Sequence, residues 1–221
     1  MMIQAFALFA ATALPQDINT LSKAEKNEGW KLLFDGTSTK GWQNFKSDTI
    51  SSGWGVKDGT FTILDPGRAG DIVTADKYEW FELQLEFNMQ PGQNSGILFR
   101  VADTGEASWH SGPEIQIYES SQPGAQISGF LYELYSTKTP ASKPAGEWNH
   151  FRIHIAKDKC WTEVNGVRYY EFVIDSEDFW ARVKKSKFNE WPDFAKLKMG
   201  RIGIQGDHGK VAFRNIKIKT L

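Results

Sequence analysis

Apolar and polar residues alternate in short runs along most of this chain, and the alternation has period two. Phe81, Leu83, Leu85 and Phe87 point one way, with Glu82, Gln84 and Glu86 opposite. That spacing predicts a half-buried strand. Ile97, Phe99 and Val101 alternate with Leu98 and Arg100, and Phe151, Ile153 and Ile155 repeat the pattern. Trp30–Phe34 runs into the turn pair Asp35-Gly36. Trp54 to Ile63 reads as a hairpin about Asp58-Gly59, and Cys160 to Phe172 as another about Asn165-Gly166. Both pairs suit two-residue turns with positive φ. Gly70–Thr74, Gly200–Gln205 and Val211–Ile218 are further strands, the last slipping register near Asn215 as a bulge would make it do. The stretch Asp175 to Phe188 alone reads as helix, capped by Asp175 or Ser176, with Phe179, Val183 and Phe188 as its apolar stripe.

About a dozen short strands, turns every 8–12 residues and one short helix near 176–188 predict an all-β sandwich of two sheets. No internal repeat is evident. One domain over residues 29–221 is the economical reading.

Within this pattern the strand Glu114–Tyr118 differs from the rest. Ile115 and Ile117 form its apolar face. The other face carries a carboxylate, an amide and a phenol, Glu114, Gln116 and Tyr118, roughly 7 Å from each to the next. Such a row suits a sugar, whose hydroxyls need donors and acceptors; an ordinary half-exposed strand is the alternative. Trp109 and His110 sit in the loop just before it. Residues 119–147 form a long irregular connection with an aromatic centre, Phe130 to Tyr135, of the kind that often builds a site.

The 26 basic and 27 acidic residues nearly cancel, so no nucleic-acid or membrane-surface partner is implied. With nine Trp and fifteen Phe the aromatic content is high; some of it builds a core, and an excess of Trp also suits sugar stacking. The single cysteine, Cys160, excludes an internal disulfide and a Cys-based zinc site, and reads as a packed small hydrophobe. Residues 1–14 are apolar and uncharged, too short to span a bilayer, and end near Ala11-Thr12-Ala13; they read as a secretory signal, although no Lys or Arg precedes them. A polar tether or short helix is expected over 15–28.

His150 and His154 lie four apart on a strand, about 13 Å, too far for one ion, and read as surface histidines. His208 sits beside Asp207 in a Gly-flanked loop, as a base, a ligand or a turn-former. Glu114 has no second acid in its own row, which disfavours a conventional two-carboxylate glucanase unless Asp207 or Glu119 supplies one. Arg100, a lone cation in an apolar strand, either pairs with a carboxylate or reaches a ligand.

The ordered set of short motifs points further. These are FDG at Phe34–Gly36, W-x-V-x-D-G at Trp54–Gly59, NSG at Asn94–Gly96 with Arg100, and GPEIQ at Gly112–Gln116. LYEL at Leu131–Leu134, GEWN at Gly146–Asn149, NGV at Asn165–Val167, SKF at Ser186–Phe188 and WPDF at Trp191–Phe194 follow. A closing GRIGIQ, DHG and FRNIKIK complete them. Together they resemble the 3-keto-disaccharide hydrolase domain family over about residues 29–221. The resemblance implies a concanavalin A-like jelly roll, a ligand site on its concave face, and export from a bacterium to the periplasm or medium. One departure is visible. The family pattern reads L-Q-D-H-G, whereas Gly206 here stands between Gln205 and Asp207, which would displace Asp207 and His208 by one position.

The resemblance also implies a chemistry that one carboxylate can serve. A 3-keto group acidifies the hydrogen on the carbon next to the anomeric centre. Its removal gives an enolate, the glycosidic oxygen leaves by β-elimination, and water adds back. In that scheme His208 or Glu114 is the base and Asp207 orients His208. Arg100, or a bound divalent cation, stabilises the enolate. Gln116, Gln205 and Tyr132 hold hydroxyls and Trp109 stacks on a ring, while Asn94, His110 and Tyr118 complete the substrate-binding set. The scheme requires Glu114 and Arg100 to open onto one hollow. A non-catalytic sugar-binding module on the same fold is the rival reading.

Overall fold

The computed structural model describes residues 17–221. The proposed signal, residues 1–14, lies outside the described residues. The strands are β1 (Lys31–Leu32), β2 (Trp42–Asn44), β3 (Trp54–Lys57), β4 (Thr60–Ile63), β5 (Ile72–Thr74), β6 (Phe81–Met89) and β7 (Asn94–Val101). They continue as β8 (Glu114–Tyr118), β9 (Asn149–Ile155), β10 (Cys160–Val164), β11 (Val167–Phe172), β12 (Arg201–Ile204) and β13 (Val211–Thr220). Among the described residues three short α-helices accompany them: α1 (Lys23–Asn27), α2 (Pro66–Ala69) and α3 (Glu177–Lys185).

The strands form two antiparallel sheets, a jelly-roll sandwich. The larger runs β11-β10-β9-β6-β13-β4-β3, with β1 also on β13; the smaller runs β2-β5-β12-β7-β8. The alternating residues fill the space between them. Phe81, Leu83, Leu85 and Phe87 of β6, Phe151 and Ile153 of β9, Ile97 and Phe99 of β7 and Ile115 and Ile117 of β8 share one buried cluster. Each such side chain contributes about 1.5–3 kcal/mol through removal from water. Cys160 is buried and free.

Both predicted hairpins close on residues with positive φ, Asp58 (50°) with Gly59 (70°) and Asn165 (50°) with Gly166 (84°), the turn that matches strand twist. Ser176 caps α3 through its side chain, and Phe179 and Val183 are its buried face. Phe188 lies beyond it, in a single 3-10 turn over Lys187–Glu190. β13 slips register between Arg214 and Lys217, with Asn215 at φ 53°. Residues 17–28 are docked: Asn19 donates to the Gly59 carbonyl and exchanges bonds with Asn215, and α1 is closed by a capping box between Ser22 and Glu25.

Strand β8 is the edge of the small sheet. An exposed edge would leave donors and acceptors unpaired. Here the 119–147 connection folds back over it: Gln116 N–H bonds Phe130 O at 2.9 Å, Gly129 N–H bonds Gln116 O at 2.9 Å and Tyr132 N–H bonds Glu114 O at 2.9 Å. This pairing covers the edge and delivers Tyr132 beside Glu114.

Candidate active site

The outer face of the small sheet carries a cleft of about 220 Å³, lined by Asn94, Trp109, Glu114, Gln116, Tyr132, Lys187, Phe188, Gln205 and His208. Drug-sized sites run to about 300–1,000 Å³, so this cleft suits one sugar ring, the remainder lying at its mouth.

Alternation places Glu114 and Gln116 here, since their neighbours Ile115 and Ile117 are committed to the core. Across the pair β7–β8, Leu98 faces Glu114 and Gly96 faces Gln116. Gly96 leaves a gap that the Glu114 carboxyl fills: a Cβ at position 96 would stand 2.6 Å from Glu114 Cδ. Glu114 is only 9% exposed. Its pKa is pushed up to about 8, by burial first and then by the nearby Asp71 carboxylate, with Lys187 opposing and Asp207 adding to the rise. No hydrogen bond holds its charged form. Glu114 is therefore mostly a protonated acid at neutral pH.

Asp71, one residue before β5, is also raised by burial, but Ser108 and Gly206 donate hydrogen bonds that favour its ionised form. Burial raises both carboxyls, but Asp71 has two donors that favour its ionised form and Glu114 has none.

The polar groups around Glu114 are only partly satisfied. Gln116 accepts from the Ile117 N–H at 3.0 Å, which turns its amide nitrogen toward the cleft. Asn94 Oδ1 and Gln205 Oε1 are buried with no partner. Buried polar atoms are almost always bonded, and two orphaned acceptors in one cleft are what a hydroxyl-rich ligand would satisfy. Lys187 supplies the positive charge. Its ammonium sits 4.5 Å from the Tyr132 ring centroid and 5.4 Å from that of Trp109, and its backbone N–H bonds Glu133 Oε2 at 3.0 Å. His208 and Asp207 are about half exposed and bonded to each other through His208 Nδ1. With the Asp207 carboxylate accepting from Nδ1, the neutral imidazole carries its lone pair on Nε2.

Several expected residues lie elsewhere. Arg100 does not reach the cleft. Register between β7 and β12 shifts next to it, and Arg100 itself has φ 55°. The extra residue sends Val101 back to the face of Leu98, where both pack with Val73. Arg100 turns the other way, 1% exposed, and bonds Asp175 Oδ2 at 3.1 Å and Ala195 O at 3.0 Å. The requirement that Glu114 and Arg100 share one hollow thus fails for Arg100, and Lys187 is the cation that Glu114 meets. His110 stacks on Trp191, centroids 3.5 Å apart, and lines a neighbouring cleft with Ser111 and Pro192. Tyr118 pairs with Asn94 across the strands but lies outside the lining. Asp207 touches the site through His208. Gln116, Trp109, Tyr132, Gln205, Asn94, Glu114 and His208 are brought together as expected.

His150 and His154 are half-buried rather than on the surface, His154 stacked on Trp161. Among the described residues no three His, Cys, Asp or Glu side chains are arranged to hold a metal ion. No step below runs through a metal ion. Among the described residues no helix is long and apolar enough to cross a membrane.

A 3-keto-disaccharide hydrolase of Bacteroides thetaiotaomicron is 28% identical to this chain, over 93% of it and 83% of the relative. A solved structure from Parabacteroides distasonis, of a protein provisionally named a glycosyl hydrolase, superposes with a TM-score of 0.85 at 30% identity, covering 93% of this chain and all of that one. A carbohydrate-binding module from Bacillus subtilis shares the fold at 11% identity and a TM-score of 0.51, over 81% of this chain and 96% of its own. The family described as the 3-keto-alpha-glucoside-1,2-lyase-like domain matches residues 29–219. With motifs, fold and cleft in register over that span, the chain belongs to the 3-keto-alpha-glucoside-1,2-lyase-like domain family.

Proposed function

We propose that this protein cleaves 3-keto-glycosides by elimination followed by hydration. The observation that carries the reading is Glu114: a buried carboxyl without a hydrogen-bond partner, facing a cleft with one ammonium, Lys187, and one imidazole, His208. A two-carboxylate hydrolase needs a nucleophile or base ionised opposite its acid, and the second carboxylate nearby, Asp71, is bonded to protein donors instead.

In this scheme His208 Nε2 removes the hydrogen from the carbon between the ketone and the anomeric carbon. The electron pair passes to the ketone oxygen as an enolate, which the Lys187 ammonium stabilises. Collapse of the enolate forms a double bond to the anomeric carbon and breaks its bond to the glycosidic oxygen. Glu114 donates its proton to that departing oxygen. Water then adds to the anomeric carbon and a proton returns to its neighbour, giving the free 3-keto sugar and the free alcohol. Asp207 orients His208. Asn94, Gln116 and Gln205 bind hydroxyls, while Trp109 and Tyr132 wall the ring.

The test is incubation with 3-keto-trehalose and 3-keto-lactose beside the unoxidised sugars. Release of 3-keto-glucose from 3-keto-trehalose and of 3-keto-galactose from 3-keto-lactose, with no cleavage of the unoxidised sugars, is expected. Cleavage of trehalose or lactose, or binding without turnover of any of the four, overturns the reading. The apolar residues 1–14 further support export of this activity from a bacterial cytoplasm. N-terminal sequencing of the protein from a native periplasmic or culture fraction tests it, and an intact Met1 there rules out a cleaved signal.

A further inference from the structure

Asp71 is an acidic side chain near the cleft that the scheme above leaves without a task. Its surroundings are unusually well built. The Asp71 carbonyl accepts from Phe45 N–H at 2.9 Å and Asn44 Nδ2 at 3.2 Å. The carbonyl just before it, of Gly70, accepts from the Trp54 indole at 2.9 Å. The backbone at this point is therefore fixed from three directions, and the carboxylate leaves it from a rigid base.

That carboxylate spans two loops distant in sequence. Oδ2 accepts from the Ser108 hydroxyl, next to Trp109. Oδ1 accepts from the Gly206 N–H at 3.2 Å, next to Asp207 and His208. Trp109 and His208 both line the cleft. Ser108 is fully buried, and its carbonyl accepts from Ser111 and Gly112 N–H, closing the turn that carries Trp109.

Gly206, the residue that departs from the family pattern, now has a physical role. A Cβ there would stand 2.8 Å from the Trp54 indole nitrogen and closer still to the Gly70 carbonyl oxygen. Only glycine lets this loop press against residues 54 and 70 and present its N–H to Asp71. The departure thus marks the point at which the His208 loop is gripped.

We propose that Asp71 is a positioning residue for this site: one carboxylate that ties the Trp109 turn and the His208 loop into register across the cleft and stands beside Glu114. This rests on the reading of Glu114 and His208 as acid and base, but the grip itself can be measured without substrate. The two donors favour the ionised form of Asp71 against the burial that raises both carboxyls, and Glu114, pushed up to about 8, has no such donor.

The experiment compares full-length D71N and D71A with the parent protein by two readouts. The first is amide hydrogen exchange over residues 108–110 and 205–209. D71A should exchange about tenfold faster or more there, since a bond to a charged acceptor is lost, while the isosteric D71N, which keeps an acceptor oxygen, should recover much of the protection. The second is a carbon-13 titration of the Glu114 carboxyl. D71N should lower its midpoint from about 8 toward the ordinary carboxylate range. Unchanged exchange in D71A, or an unchanged Glu114 midpoint in D71N, overturns the proposal; should D71A not fold, the D71N titration decides it. Turnover of 3-keto-trehalose is measured in parallel. Both readouts moving in a protein that turns over no 3-keto-sugar would retain the positioning role and remove the proposed chemistry.

Discussion

The Glu114 carboxyl lies over Gly96, one diagonal step back along the neighbouring strand, in space that any side chain at 96 would occupy. A methyl there would stand 2.6 Å from Glu114 Cδ. Glu114 would have to swing outward, while the β7–β8 pairing, which uses backbone alone, would persist. Gly96→Ala should therefore keep its fold but lose turnover by about 100-fold, the scale of an ångström of misplacement at a reacting group. Far-ultraviolet circular dichroism and kcat on 3-keto-trehalose check the two halves, and full activity in a folded variant would remove Glu114 from the chemistry.

Lys187 is the cation that opposes the rise in Glu114's pKa. Its replacement by Met keeps the aliphatic stem against Tyr132, Trp109 and Phe188 and deletes the charge. K187M should raise the Glu114 midpoint above about 8 and cut kcat by about 10²–10³-fold, the usual loss for one electrostatic stabiliser of a developing anion. K187R should restore part of both. A Glu114 titration that stays put on removal of the ammonium would show that the two do not interact.

Much of the fold was legible because period-two alternation and Asp-Gly and Asn-Gly turns are local signals. β6, β9 and both hairpins lie where those signals place them. The site was legible where it rides on the same alternation: Ile115 and Ile117 face inward, so Glu114 and Gln116 must face out. Arg100 was misplaced by the same logic, since one bulge residue inverts every later position in a strand, and the positive φ that reveals it belongs to a residue type that rarely adopts it. Lys187 reads in sequence as a solvated charge at the end of a helical run. Only its place in the SKF motif hinted otherwise, and its role depends on Glu133, 54 positions away. Asp71 is hidden for a similar reason: its partners, Ser108 and Gly206, lie 37 and 135 positions off.

Arg100 should prove structural. Its guanidinium joins β7 to Asp175 and to the Ala195 carbonyl, with Trp80 beneath it at 5.5 Å. Asp175 is 40% exposed at its side chain, so its own charge is easily solvated and the ion pair adds little. The loss in Arg100→Met is mainly the bond to Ala195, about 1–3 kcal/mol. Urea denaturation should show that loss, while the Glu114 midpoint and KM for 3-keto-trehalose remain at parental values. A large fall in kcat at full stability would return Arg100 to the site.

Glu114 also makes stability depend on pH, with a sign opposite to that of a salt-bridged carboxylate. In the unfolded chain it ionises near 4.5, whereas in the fold it holds its proton until about 8. Between those values the native state binds more protons than the unfolded state, so unfolding becomes easier as pH rises. Below about pH 4.5 this group imposes no penalty; above about pH 8 the penalty is complete, of order several kcal/mol at about 1.4 kcal/mol per pH unit. Glu114→Gln keeps the shape and abolishes the titration. The parent should therefore lose stability relative to E114Q across pH 5 to 8, measured as the difference in urea-unfolding free energy at matched pH, with the gap level again above pH 9. A gap that does not change with pH would mean that the buried carboxyl ionises as freely in the fold as in the open chain, and the proton that the scheme assigns to the departing oxygen would have no source.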